Sequence, residues 1–221
     1  MGSTEAFFAA IEAGDVDRVR SMIAADPSLA SARDDLGVSA LMRARYRFES
    51  DLLDAISTVA PARDVFEAAA LGDAEPLRQL LDEDPSLVTT YSADGFSALH
   101  FAAFFGQIGT ARSLLDRGAG VDAHGRGWMV GTPLSSAAAG GHTDVARLLL
   151  DAGADPDARQ SSGWTPLHSA AHDGNRAMVE LLLGRGADPR ATNDDGATVL
   201  SMAEESGDED TAARVRSALG L

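Results

Sequence analysis

The chain has 221 residues, 45% hydrophobic and 24% charged, a balance that supports a folded core and excludes wholesale disorder. It contains no cysteine, which excludes a disulfide scaffold, thiolate metal sites and cysteine nucleophiles. Its formal net charge of −16 argues against nucleic acid and anionic membranes as partners, because a phosphate surface requires clustered cations.

In chain order, the first turn signal is Gly14-Asp15, which separates two predicted helices, and Asp26-Pro27-Ser28-Leu29 closes that pair. Ser39-Ala40-Leu41 opens a second unit, which is over by Ala60 and is short by about ten residues. Gly72-Asp73 and Asp84-Pro85-Ser86-Leu87 repeat the first pattern in a third unit. A fourth runs through Ser97-Ala98-Leu99-His100, Ala102-Ala103, Gly106, Leu114-Leu115 and Gly118-Ala119. Thirty-five residues on, the fifth has Thr132-Pro133-Leu134, Ala137-Ala138, Gly141-His142, Leu148-Leu149-Leu150 and Gly153-Ala154-Asp155. Thirty-three further, the sixth has Thr165-Pro166-Leu167-His168, Ala170-Ala171, Gly174, Leu181-Leu182-Leu183 and Gly186-Ala187-Asp188. Thr198-Val199-Leu200 and Gly207 begin a seventh.

This series resembles the ankyrin family, whose repeat of about 33 residues carries the pattern T-P-L-H-x-A. The fifth and sixth units match nearly throughout, and the N-terminal units more weakly. The resemblance implies an all-α solenoid, one domain over residues 1–221. Its approximate units are 3–36, 37–62, 63–93, 94–127, 128–160, 161–193 and 194–221, the first and last acting as caps. Thr132 and Thr165 suit helix caps, each followed by a first-turn proline that needs no N–H acceptor. Alanine pairs keep the inner helices thin, and outer-helix leucines complete a core no single unit could bury. The resemblance also implies that His100 and His168 hydrogen-bond to neighbouring backbone.

Partners of this family meet the concave face, at the fingertip loops and at two variable positions before the inter-helix glycine. Those positions are Glu12-Ala13, Tyr46-Arg47, Ala70-Leu71, Phe104-Phe105, Ala139-Gly140, His172-Asp173 and Glu205-Ser206. Fingertips add Phe96, Val130 or Gly131, Trp164 and Ala197, and the lengthened fifth unit places Trp128-Met129-Val130 there. Tyr46, Phe96, Phe104, Phe105, Trp128, Met129 and Trp164 therefore form an expected aromatic wall, with His172 beside it. Exposed aromatics of this kind invite a covering partner and make strong binding anchors. The alternative is that some of them pack between fingers and belong to the core, as Phe7, Phe8, Phe66 and Phe101 do by position.

The second unit carries Arg43, Arg45 and Arg47 around Tyr46. Arg43 and Arg47 lie four apart and are expected to share a face able to hold a carboxylate or phosphate. Glu49 and Asp51 are near enough to neutralise them instead. All eighteen basic residues of the chain are arginine, which excludes lysine Schiff-base chemistry and, with the abundant alanine, suggests a GC-rich bacterial or salt-adapted source.

Chemistry is sparse. His168 and His172 have helical i,i+4 spacing but no third metal ligand. Asp122 and His124 could pair as acid and base in a fingertip. Ser135 and Ser136 lack an activating elbow, and Gly125, Gly127 and Gly131 lack phosphate-loop spacing. The expectation is no catalytic residues, no metal and no cofactor, so an enzyme is not the first reading. It is instead a protein-interaction module that binds a basic or apolar segment. The alternative is a small-molecule site, in which the aromatic wall holds an apolar ligand whose acidic end meets Arg43 or Arg47. No opening segment reads as a secretion signal and no apolar run spans a membrane, so the cytoplasm is the expected compartment.

Overall fold

The computed structural model describes residues 2–60, 63–126 and 130–221. Fourteen α-helices among them follow one another as seven pairs, and the only β-type pairings are two isolated bridges, Arg33 with Ser39 and Thr192 with Thr198. The pairs are α1 (Ser3–Glu12) with α2 (Val16–Ala25), α3 (Ala40–Tyr46) with α4 (Ser50–Ser57), and α5 (Val65–Leu71) with α6 (Ala74–Glu83). Next come α7 (Ala98–Phe104) with α8 (Ile108–Asp116), and α9 (Pro133–Ala139) with α10 (Thr143–Asp151). The last are α11 (Pro166–His172) with α12 (Arg176–Gly184), and α13 (Val199–Glu205) with α14 (Glu209–Leu219).

The odd-numbered helices pack side by side as an inner layer and most of the even-numbered ones as an outer layer, which makes the molecule a solenoid. Inner helices approach closely because their contact residues are small: Ala102, Ala103, Ala137, Ala138, Ala170 and Ala171 are all buried. Their starts are fixed by side-chain caps. Thr132 Oγ1 accepts from Ser135 N, Ser39 Oγ accepts from Met42 N, and Asp64 accepts from Phe66 N and Glu67 N. The Asp-Pro-Ser-Leu segments close their pairs differently from the Gly-Ala-Asp endings. Asp26 and Asp84 each accept from the backbone N–H and the hydroxyl of the serine two residues on, which starts a short 3-10 turn.

The signature histidines tie adjacent fingers together, as the resemblance implied. His100 Nδ1 accepts from Ser97 N and lies 2.7 Å from Ser97 Oγ, while its Nε2–H donates to Gly131 O at 3.0 Å. His168 repeats this with Thr165 and with Ala197 O. A finger also touches its neighbour backbone to backbone. Gly95 O accepts from Arg126 N at 2.7 Å, and a Cβ at position 95 would stand 1.4 Å from Arg126 O, so only glycine fits there.

The regular stack breaks at the second pair. Residues 58–64 alone join α4 to α5, half as many as the residues 84–97 that join α6 to α7, so the link before the third pair is short. A cleft of about 590 Å³ occupies that place, between the fingers at 32–39 and 90–97, floored by Phe66, Leu80, Leu87 and Phe101. The core divides at the same point. One cluster joins the first two pairs through Phe7, Ile11, Leu41, Leu52 and Ile56; a second runs from Val65 to Val215. Between them lies a smaller cluster made of Val38 and Met42 from the second pair, Ala70 from the third, and Phe101 and Phe105 from the fourth. Ala70 is small enough that rings on either side of it meet above its helix.

Removing a ring from that bridge should uncouple the two blocks. Phe105→Ala is expected to cost about 3–5 kcal/mol, as for other fully buried phenylalanines. Hydrogen exchange should then show residues 2–60 opening at lower free energy than residues 65–215. Uniform loss of protection, or a cost below about 1 kcal/mol, would contradict the bridging role.

Candidate functional site

Across the bridge, the concave face holds a pocket of about 430 Å³. Its walls are Val38, Tyr46, Phe96, Phe101 and Phe104, its rim carries Leu36, and its far side is Ser136, Ala139 and Gln160. Leu36 is 70% exposed, and Val130, next to the lining residue Gly131, is 36% exposed, so apolar surface continues outward along the fingertips. Inner helices place Tyr46, Phe101 and Phe104 at the back, while fingertip turns place Leu36, Asp94 and Phe96 at the front.

The pocket's polar groups are mostly committed. Tyr46 Oη donates to Asp94 Oδ2 at 2.5 Å, and Ser92 Oγ donates to the other carboxylate oxygen. Burial, then the bond to Asp94 and its charge, raise the phenol's pKa well above its ordinary value, so Tyr46 is a neutral donor here rather than an acid. Arg43 lines the pocket, but Asp34 takes its Nε at 2.6 Å. Phe96 leans on His100 and meets Phe101 edge-on, with centroids 5.7 and 5.9 Å apart.

Of the residues expected on this face, Arg43, Tyr46, Phe96 and Phe104 come together at the pocket. Phe105 does not belong to the wet wall: it is 5% exposed and packs in the bridging cluster against Tyr46. A register repeated unchanged from unit to unit would turn position 105 outward; against the irregular second unit it turns inward. Arg47 is also elsewhere. It is neutralised by Glu49 at 2.6 Å and donates to Glu12 O at 2.7 Å, at the end of α1. Arg43 and Arg47 therefore do not form a shared anion clamp; each meets its own carboxylate. Trp164 and exposed His172 meet edge-on one finger further along, with Trp164 O accepting from Gln160 N at the pocket edge. Trp128 and Met129 lie outside the described residues.

The proposed chemical pairs dissolve. His168 has both ring nitrogens in structural bonds, and His124 Nδ1 meets Asp122 O rather than the Asp122 carboxylate, which accepts from Asp155 N. Among the described residues, no three metal-ligating side chains converge.

One residue that matters here went unnoticed in the sequence. Phe48 adopts φ 58°, one of two non-glycine residues with positive φ among the described residues, and it is 67% exposed. In the other six units this inter-helix turn has glycine, at 14, 72, 106, 141, 174 and 207, all with positive φ. That alignment was the available signal. A left-handed backbone costs a bulky residue about 1–2 kcal/mol, and an exposed ring recovers little of it. The Phe48 ring lies 6.1 Å from Phe104 and 5.8 Å from Phe105, so it extends the pocket's back wall toward the inter-helix turns. On the same Phe105 ring, the Arg45 guanidinium lies 4.4 Å from the centroid, and its Nε–H donates to Ala70 O at 3.2 Å. Burial lowers its pKa, and among the described residues it has no carboxylate partner.

Known proteins place this architecture. The model for ankyrin repeats in three copies matches residues 65–160 and again 134–215, so the chain belongs to the ankyrin-repeat family. The "Ankyrin repeat and SAM domain-containing protein 6" of Rattus norvegicus is 38% identical over 129 residues, covering 54% of this chain and 14% of the relative. Its counterpart in Danio rerio is 30% identical over 105 residues, covering 44% and 14%. A "Probable E3 ubiquitin-protein ligase XBOS31" of Oryza sativa subsp. japonica is 46% identical over 90 residues, covering 39% and 19%. The chain thus spans less than a fifth of the length of these relatives.

Two measurements follow from the geometry. Burial pulls the His100 imidazole from 6.5 to about 4. The unfolded chain therefore takes up the proton first: His100's stabilising contribution is whole above pH 6.5 and falls as pH drops toward 4, by about 3 kcal/mol in all. Urea titrations across that range should show the decline, and His100→Gln should flatten it; an unchanged slope would show that His100 is not the linked group. Phe48→Gly should leave stability within about 1 kcal/mol of the parent, because relief of the left-handed backbone offsets the ring's lost contacts. A loss like that of a buried phenylalanine would make Phe48 a core residue.

Proposed function

We propose that this chain is a protein-interaction module that holds an extended or helical partner segment against its concave face, with Tyr46, Phe96 and Phe104 as anchors and Trp164 with His172 at the flank. Ankyrin repeats generally mediate protein–protein interaction, and that supports the class. The observation that carries the specific reading is the 430 Å³ aromatic pocket continued onto exposed apolar fingertips at Leu36 and Val130. With a net charge of −16, the surface favours a partner whose flanks are basic, drawn in by long-range attraction. The whole chain acts in this reading as one seven-unit domain, and its arginine-only basic set supports a GC-rich bacterial source.

A second reading keeps the same pocket for a small apolar ligand, since its volume falls within the range of about 300–1,000 Å³ usual for such sites. Affinity capture followed by mass spectrometry separates the two. Phe104→Ala should abolish capture of whatever polypeptide the parent retains, while Arg147→Ala, on an exposed outer position, should leave it unchanged. Identical capture by all three proteins would remove the groove as the binding face, and a small molecule retained by the parent in native mass spectrometry would favour the second reading.

A further inference from the structure

The strain and exposure of Phe48 and the position of Arg45 share one explanation. We infer that Phe48, Phe104 and Arg45 form an anion-selective lip of the groove, which takes an apolar side chain of a partner polypeptide followed closely by a carboxylate. The inference rests on the groove being the binding face and adds the sign of the charge bound there.

All three residues contact the ring of Phe105. Its buried ring carries Phe48 on one side at 5.8 Å, Phe104 at 5.1 Å, and the Arg45 guanidinium at 4.4 Å. Phe48 and Phe104 offer the landing surface for an apolar side chain. Arg45 uses its Nε–H on Ala70 O, and among the described residues its two terminal nitrogens have no hydrogen-bond partner. That leaves one edge of the guanidinium fork, which matches a single planar carboxylate in a bidentate pair. A phosphate dianion is better served by a cluster of cations, and Arg43 and Arg47 are committed to Asp34 and Glu49. The neighbouring His142 is held toward its neutral form by burial and supplies no second charge.

The surroundings sharpen the contrast. The chain carries 34 acidic residues against 18 arginines, yet none of the acids among the described residues pairs with this half-buried cation. Part of its desolvation has occurred before any ligand arrives, so an incoming carboxylate has less water to displace. Glycine would serve the turn at position 48 better than phenylalanine, and the ring gains little from burial. A residue kept at the expense of backbone strain, beside an unneutralised cation, fits a contact made with something outside the chain.

The test uses the full chain with three capped peptides, acetyl-Leu-Phe-Asp-amide, acetyl-Leu-Phe-Asn-amide and acetyl-Leu-Phe-Lys-amide, with binding to parent and variants measured by isothermal titration calorimetry and located in the parent through the Arg45 Nε–H resonance. The aspartyl peptide should shift that resonance saturably and bind at least about tenfold more tightly than the asparaginyl one, the ratio expected for one charge-assisted pair. Arg45→Gln and Phe48→Gly should each lose the preference while keeping the parent's helical circular dichroism. Should Arg45→Gln unfold, Arg45→Lys replaces it and is expected to retain only part of the preference. Equal response to the aspartyl and asparaginyl peptides, stronger response to the lysyl peptide, or no saturable response at all would overturn the lip. Those results leave the groove reading to stand or fall on the Phe104→Ala capture.

Discussion

Everything distinctive in this molecule depends on how a solenoid keeps its core continuous where one unit is too short. Each pair in such a stack buries its apolar face only against its neighbours, so a gap threatens the whole array. Here the link before the third pair is short, and the helical core divides into an N-terminal and a C-terminal cluster. Phe101 and Phe105 from the fourth pair and Met42 and Val38 from the second restore contact across it, over Ala70. Polar contacts reinforce the same seam. Ser39 Oγ donates to the buried Glu67 carboxylate at 2.6 Å, and Arg33 pairs with Asp64 at 2.8 Å. The family match beginning at residue 65 marks the same boundary from the side of sequence.

This repair shapes the concave face. Where the second and fourth pairs meet, Phe101 and Phe105 are buried, while Tyr46 and Phe104 are half-buried and face the groove. Tyr46 illustrates the compromise. Its ring packs near Phe101 and Phe105, and its hydroxyl reaches forward to the Asp94 finger at 2.5 Å. The pocket is lined by these rings, whereas buried alanine pairs hold the later inner helices against each other. Between the fourth and fifth pairs the backbones close in tightly instead, to the point that a Cβ on Gly140 would lie 2.3 Å from Phe104 O.

The regular units were legible because their signals are local. A threonine cap, a first-turn proline and a histidine three residues after the cap act within one turn of helix, so Thr165, Pro166 and His168 mean the same thing in any context. The solenoid and its short second unit followed from the spacing of the repeats, and the family resemblance implied that the histidines bond neighbouring backbone. Phe105 and Arg47 were misplaced because their direction depends on the neighbouring unit, and the second unit is irregular. The competing expectation, that Glu49 neutralises the arginine cluster, holds for Arg47; for Arg43 the partner is Asp34, from the preceding finger. Phe48 was missed for a different reason. Its significance is backbone conformation, visible in sequence only by noticing which unit lacks the turn glycine.

Strain and burial divide the aromatic residues into two sets with different constraints. Phe101 and Phe105 are fixed by the seam, where any loss of volume opens the core. Phe48 is opposed by its own backbone and supported by little packing, so stability alone gives no reason for a ring there. Phe104 stands between them, half-buried, touching both the seam and the open groove. A partner that rests on Phe48 and Phe104 therefore presses on the rings that couple the two blocks of the solenoid. Binding energy spent there would also stiffen the seam, since a ligand that favours the closed arrangement of the groove stabilises the contacts that create it.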